Sequence, residues 1–237
     1  MYKTPVVVSS ENHARLRFVP ADDFQFAATQ TQAPLMGGEV VQAAEYYPVV
    51  FNQSTGEPLA VLGLTANRNL YLDSNYYWRA PFVPASCTNY PFALAKTTDE
   101  TGSQHYVLTM DTSAETLQDK KGKLLFNKNG NNGYRPSPLL KTLKQKLAGV
   151  EINLEKTRVL FSQLVTHDVL IAQQADFPLG ERQGRLEGFA VVDWEKVQQL
   201  DETVIAQWKT SGLLSVLEAH TRSLKHFNLL GRLLNQS

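Results

Sequence analysis

Residues 46–92 read YYPVVFNQSTGEPLAVLGLTANRNLYLDSNYYWRAPFVPASCTNYPF, and no other stretch of the chain is so dense in strand and turn residues. β-Branched and other apolar residues predict three strands, at Val49 to Asn52, Leu59 to Thr65 and Leu70 to Leu72. Turn residues separate these strands at 54–56 and at 66–69. Strands joined by such short turns pair antiparallel, so the stretch predicts a meander.

Two further segments have strand composition, Phe92 to Ala95 and Tyr106 to Met110, and we expect them to complete the same sheet. The second half of the chain has helical periodicity instead. Ser137 and Pro138 predict a helix start, and an apolar stripe follows at Leu139, Leu140, Leu143 and Leu147. Gly149 is expected to break or bend this helix.

Helical periodicity resumes from Glu155 to Gln174 through Leu160, Leu164, His167 and Ile171, and we expect Pro178 and Gly180 to end that helix. One strand is expected near 186–193, followed by helices to the end of the chain. The pattern predicts the α+β class. A mainly antiparallel sheet from residues 1–135 packs against helices from residues 136–237, within a single domain of 237 residues.

Charge and cysteine content restrict the function. Lys plus Arg and Asp plus Glu both number 23, so the chain has no net charge that would attract nucleic acid. Cys87 is the single cysteine and has no histidine near it in sequence, which predicts a buried thiol rather than a nucleophile or a thiolate metal site. No segment has the length and apolarity of a membrane span, and we expect a cytoplasmic protein.

His167 and His220 are the first candidate site residues, because each lies on the apolar stripe of its own predicted helix. Facing helices would bring the two histidines together, although a metal would need a third ligand and no metal-binding spacing supplies one. The alternative is structural: a buried histidine bonded to a backbone carbonyl. No metal or other cofactor is identified.

The second group of candidates is a carboxylate among aromatic residues. Asp73 lies beside Asn75 and Trp78 at the end of a predicted strand, where ligand pockets often open, and Tyr90 is a further candidate wall. Turn chemistry explains Asp73 and Asn75 equally well, since tight turns select Asp and Asn. The aromatic residues likewise fit a core or an interface.

A series of motifs resembles the SapC family of bacterial proteins. The motifs are, in chain order, YYPVVF, AVLGL, NLYLD, Trp78, FVPA, YPFAL, GKLLF, GFAVVD and EAHTRSL. Asp73, Trp78, Tyr90 and His220 fall on matching family positions. The resemblance supplies no catalytic residues, and its name implies a relation to bacterial surface layers.

Three hypotheses follow. The first is a binding or accessory protein that works through a protein partner or a small molecule and displays an exposed aromatic patch. The second is an enzyme with a pocket between the sheet and the C-terminal helices, using Asp73 or His220 as acid or base and Trp78 and Tyr90 as walls. The third is a surface-layer-associated protein. The apolar helix faces are also compatible with a homodimer.

Overall fold

A computed structural model describes residues 2–130, 133–180 and 182–236. Its strands are β1 (Pro5–Val7), β2 (Arg17–Phe18), β3 (Gln32–Pro34), β4 (Val49–Phe51), β5 (Pro58–Val61), β6 (Phe92–Thr98), β7 (Gln104–Asp111), β8 (Leu117–Gln118), β9 (Lys123–Leu124), β10 (Phe126–Asn129), β11 (Gly133–Pro136), β12 (Leu170–Leu179) and β13 (Arg182–Val192). Its α-helices are α1 (Ser10–His13), α2 (Val40–Ala43), α3 (Ala85–Thr88), α4 (Pro138–Thr166), α5 (Trp194–Gln198), α6 (Glu202–Ser211), α7 (Leu213–Ser223) and α8 (Phe227–Asn235). Single 3₁₀ turns occupy Gln25–Ala27, Gly37–Glu39 and Leu224–His226.

The α+β class is confirmed: all pairings between these strands are antiparallel, and helices dominate the C-terminal part. The chain forms two compact units. Unit 1 contains residues 1–26 and 88–152, and unit 2 contains residues 27–87 and 153–237. None of the helices in the described residues combines the length and the apolar character needed to cross a bilayer.

Unit 2 is built on a five-stranded sheet in the order β12-β13-β4-β5-β3. The first two predicted strands of the meander form β4 and β5, which pair antiparallel as predicted. Gly56 closes the turn between them with φ of 72°, and a Cβ there would lie 2.5 Å from the Phe161 carbonyl oxygen. Helix α7 packs on β4 and β13, and Val49, Phe51 and Leu217 are completely buried between them. The candidate residues Asp73, Trp78, His167 and His220 all belong to this unit.

Unit 1 contains two three-stranded sheets, β1-β7-β6 and β8-β2-β9, and the hairpin β10-β11. The expectation that residues 92–95 and 106–110 complete the meander's sheet is wrong, because β6 pairs with β7, and β7 pairs with β1, in a separate sheet of unit 1. Phe92 of β6 and Met110 of β7 are buried in the apolar core of unit 1, which shares no residue with the core of unit 2. Strand composition identified the two strands but not their partners.

The long helix α4 differs from its prediction in two ways. It runs through Gly149 without a break, because one glycine in a helix costs only about 1 kcal/mol. Burial of apolar side chains on both sides of Gly149 offsets that cost. Leu140 and Leu147 belong to the core of unit 1, and Phe161 and Leu164 belong to the core of unit 2. The helix also ends at Thr166, not near Pro178. The expected single strand near 186–193 is half of a long hairpin, β12-β13.

Candidate functional site

A tight loop at residues 72–78, hereafter the tyrosine loop, contains two of the five predicted site residues, Asp73 and Trp78. An isolated antiparallel bridge between Leu72 and Trp78 closes the loop. The Asp73 backbone N–H donates to the Tyr77 carbonyl (3.0 Å), and the Tyr76 N–H donates to the Asp73 carbonyl (3.0 Å). Asp73 Oδ1 accepts from the N–H groups of Asn75 (2.8 Å) and Tyr77 (2.9 Å). The carboxylate therefore holds the loop in one conformation, as Asp does in tight turns.

This conformation presents two tyrosine side chains to solvent. Tyr76 is 38% exposed and Tyr77 is 53% exposed. Tyr76 also has φ of 63°, a left-handed conformation that is uncommon for an aromatic residue and costs on the order of 1 kcal/mol or more. Backbone strain of this kind persists only where surrounding bonds impose it, and here the Asp73 bonds do so.

Buried tyrosines support the base of the loop. Trp78 Nε1 donates to the hydroxyl of Tyr47 (2.7 Å), and that hydroxyl donates in turn to the Phe82 carbonyl. The Tyr71 hydroxyl donates to the Tyr46 carbonyl (2.7 Å). Burial raises the pKa of both Tyr47 and Tyr71, so both phenols stay protonated and keep donating. The loop is anchored to the core at its base and exposed at its tip.

His220 joins helix α7 to two strands of the sheet. Its Nδ1 contacts the Val49 carbonyl of β4 at 2.7 Å, and its Nε2 accepts from the Val192 N–H of β13 at 3.2 Å. Because β13 pairs with β4 at Ala190 and Phe51, the same register continued places Val192 opposite Val49. The imidazole thus bridges the two strands where their direct pairing stops.

Both bonds require a neutral imidazole with its proton on Nδ1. Burial lowers the pKa of His220 to about 4, against a smaller raising effect of the Val49 bond, so the ring is neutral at physiological pH. The Ser223 hydroxyl completes the junction, accepting from the Val49 N–H (2.9 Å) and donating to the His220 carbonyl (2.6 Å). With both ring nitrogens bonded to backbone, His220 has the contacts of the structural alternative.

His167 and Tyr90 lie in other environments. His167 follows the end of α4 and packs edge-on against Trp208 of α6, with ring centroids 5.6 Å apart. Among the described residues, no three His, Cys, Asp or Glu side chains form a cluster that could hold a metal ion. Tyr90 belongs to unit 1, where its ring stacks on Phe26 with centroids 4.3 Å apart. The expected pairing of the two histidines at a ligand site stays a prediction.

Tyr90 contacts a buried carboxylate that the sequence analysis did not single out. Its hydroxyl donates to Asp111 Oδ2 (3.2 Å), which also accepts from the Lys3 N–H (2.7 Å). Asp111 Oδ1 accepts from the Thr4 N–H (3.0 Å) and from the N–H and hydroxyl of Ser113 (3.0 and 2.7 Å). Burial alone would raise the Asp111 pKa, but these bonds outweigh it and lower the pKa to about 2. The carboxylate ties the N-terminal strand to the end of β7.

Three surface clefts are lined by none of the five predicted residues. One cleft of about 290 Å³ in unit 2 lies between β12 and α8, with Phe177 and Phe227 at its apolar part and Asp176 and Arg232 among its polar residues. The other two of these clefts, of about 580 Å³ and 620 Å³, lie in unit 1. Neither Asp73 nor His220 lines any of the three. A pocket formed by the predicted residues therefore stays a prediction.

Comparison with known proteins gives a family. The SapC family model matches residues 8–230, nearly the whole chain. The chain belongs to the SapC family. No curated protein and no solved structure matches it.

In this SapC protein, the features that sequence reasoning missed are local. Neither Tyr76 nor Tyr77 is among the candidate site residues predicted from the sequence, but they form the exposed tip of the tyrosine loop. The signal was present in Asp73-Ser74-Asn75, which predicts a turn, and consecutive tyrosines directly after a turn cannot both face a core. Asp111 has only a local part of such a signal, from Ser113 two residues ahead, because its other donors come from residues 3, 4 and 90, far away in sequence.

Proposed function

We propose that this SapC protein is a binding or accessory protein that contacts its partner through the tyrosine loop. The observation that carries the proposal is the display of Tyr76 and Tyr77 on a loop fixed by Asp73. Exposed tyrosines held in one conformation lose little entropy on binding, and tyrosine is enriched among residues that dominate interface energies. The strained backbone of Tyr76 costs the folded chain free energy, which favours a role in recognition.

The test is a comparison of partner capture by loop variants. Tyr76→Gly removes one ring and accepts the positive φ, and Tyr77→Ala removes the other. Tyr106→Ala is the matched control, since Tyr106 is 40% exposed on β7 in unit 1. We expect a partner recovered from the native cells to bind wild type and the control, and to bind the double loop variant at least about tenfold more weakly.

Circular dichroism and thermal melting of each variant establish that the fold is kept. Capture by the double loop variant equal to wild type would contradict the proposal. Equal loss in Tyr106→Ala would also contradict it, because binding would then not depend on the loop.

The enzyme hypothesis has weaker support. Asp73 uses Oδ1 to accept from two backbone N–H groups of its own loop, and both ring nitrogens of His220 contact backbone, so both residues have the contacts of structural groups. We propose the cytoplasm as the compartment, because the lone, buried Cys87 fits a reducing environment. Cell fractionation tests this: recovery with the surface layer instead would favour the surface-layer hypothesis.

A further inference from the structure

Strand β12 is the terminal strand of the five-stranded sheet in unit 2, with β13 on one side and, within the described residues, no strand on the other. The register shows which backbone groups face that open side. The Asp193 N–H donates to the Val169 carbonyl (2.8 Å), so this pair is a hydrogen-bonded one. Hydrogen-bonded pairs alternate along an antiparallel ladder, so Ile171 bonds to β13 while Leu170 and Ala172 direct their N–H and C=O groups outward.

The contacts of β13 agree with this assignment. Val192 lies opposite Leu170, and its N–H points away from β12 to His220 Nε2. Ala190 lies opposite Ala172 and pairs with Phe51 of β4 on its other side. The first part of β12 therefore offers two N–H and two C=O groups at its open edge.

The two parts of β12 differ in their protection against strand addition. From residue 174 onward the strand has a register shift, the charged Asp176 and Pro178, three features that discourage pairing at an edge. Residues 170–173 (Leu-Ile-Ala-Gln) contain no charge and no proline. Ile171 is 49% exposed there, an apolar β-branched residue suited to a strand interior.

We propose that residues 170–172 pair antiparallel with the same residues of a second copy of this chain, in a two-fold register centred on Ile171. In this register Leu170 lies opposite Ala172 of the other copy, and Ala172 lies opposite its Leu170. The outward N–H and C=O groups of Leu170 and Ala172 in one copy then bond to those of Ala172 and Leu170 in the other, which gives four hydrogen bonds. The two Ile171 residues form the central non-hydrogen-bonded pair, where side chains approach most closely.

Other registers fit less well. Centring on Ala172 would place Asp168 opposite Asp176 of the other copy, two like charges, and would use Gln174, whose N–H already bonds to Gln173 Oε1. Centring on Leu170 would require the Asp168 N–H, which already donates to the Val165 carbonyl. In the Ile171 register, Asp168 faces the uncharged Gln174. The edge is thus self-complementary in one register, which favours a second copy over an unrelated strand.

The test is disulfide trapping with Ile171→Cys. Side chains of a central non-hydrogen-bonded pair are close enough for a disulfide, so mild oxidation is expected to give a covalent dimer of twice the 26.5 kDa chain mass. Cys87 does not compete, because it is 2% exposed and burial raises the pKa of its thiol to about 11. Leu179→Cys is the matched control, 41% exposed on the same strand but outside the paired segment.

Sedimentation of wild type and Ile171→Lys is the second measurement. An interface this small is expected to give a weak dimer. The sedimentation of the wild-type protein is therefore measured at concentrations from about 1 µM to about 500 µM. Ile171→Lys places two like charges opposite each other and is expected to raise the dissociation constant at least about tenfold, whereas Leu179→Lys leaves it unchanged. A wild type that stays monomeric throughout, or equal crosslinking of the two cysteine variants, would overturn the proposal. The tyrosine loop is not involved, so either proposal can fail without the other.

Discussion

The His220 side chain links strands β4 and β13 at a point where the two strands do not hydrogen-bond to each other directly. At the point where β4 and β13 separate, its ring takes the N–H of Val192 on one nitrogen and contacts the carbonyl of Val49 with the other. A protonated imidazole has no acceptor nitrogen, so protonation would leave the Val192 N–H without its partner in a buried site. The folded state is therefore sensitive to acid at this residue.

We expect the stability of the protein to fall between pH 6.5 and pH 4 because of His220. Its pKa is lowered from 6.5 to about 4 in the folded state, so over this interval the unfolded state binds the extra proton. Stability is complete above pH 6.5 and is lost progressively as the pH falls toward 4, by about 3 kcal/mol in total. Urea unfolding at a series of pH values measures this loss.

His220→Gln should be less stable at pH 7 by about 2 to 4 kcal/mol and should show a smaller loss between pH 6.5 and 4. His105→Gln, at an exposed position on β7, serves as the control and should keep the wild-type dependence. An unchanged pH dependence in His220→Gln would show that other groups cause the acid sensitivity.

At the scale of elements, the end of α4 determines where β12 begins. The Asp168 N–H donates to the Val165 carbonyl and the Val169 N–H donates to the Leu164 carbonyl, at 3.1 Å each. Asp168 has φ of 51°. These are the two bonds and the left-handed residue of a Schellman cap, with Asp where glycine is usual. The buried pair Leu164 and Val169 supplies the accompanying hydrophobic contact.

We expect Asp168→Gly to be at least about 1 kcal/mol more stable than Asp168→Ala, because only glycine adopts the left-handed conformation without steric cost. Both variants lose the ion pair between Asp168 Oδ2 and Lys196 Nζ (2.7 Å), which is exposed and contributes little. The comparison therefore isolates the backbone effect. Thermal or urea unfolding measures it, and equal stability of the two variants would argue against the cap.

At the scale of the whole molecule, each unit has its own apolar core, and the single thiol belongs to the core of unit 2. Cys87 is almost completely buried, and burial raises the pKa of its thiol from 9.0 to about 11. A thiolate is the reactive form, so this pKa alone lowers reactivity near neutral pH by about 100-fold. The rate at which the Cys87 thiol reacts with a reagent therefore measures how often the core of unit 2 opens.

We expect native protein to react slowly with a thiol reagent such as Ellman's reagent, and the rate to rise steeply in urea as unit 2 unfolds. The same protein in full denaturant provides the reference rate. Tyr106→Ala, with its change in unit 1, should label at the wild-type rate under native conditions. Native labelling as fast as in denaturant would contradict the buried position of Cys87.

The sequence determined those features that depend on near neighbours. The α+β class follows from hydrophobic periodicity, and the start of α4 follows from Ser137, whose hydroxyl accepts from the Leu140 N–H (3.2 Å). The turn at Asp73 follows from the tendency of Asp to bond the backbone two residues ahead. Cys87 is buried, as predicted from the absence of a histidine near it in sequence. Motif order was also enough to identify the family.

Which distant segments meet depends on the tertiary structure. Strand composition cannot name a partner, so β6 and β7 were assigned to the wrong sheet. Periodicity carried the predicted helix on to Gln174 because Ile171 continues its stripe, but the backbone of Asp168 turns the chain into β12 and exposes Ile171 instead. The role of His220 depends on Val49 and Val192, 171 and 28 residues away, and contacts over such separations exist only once the chain has folded.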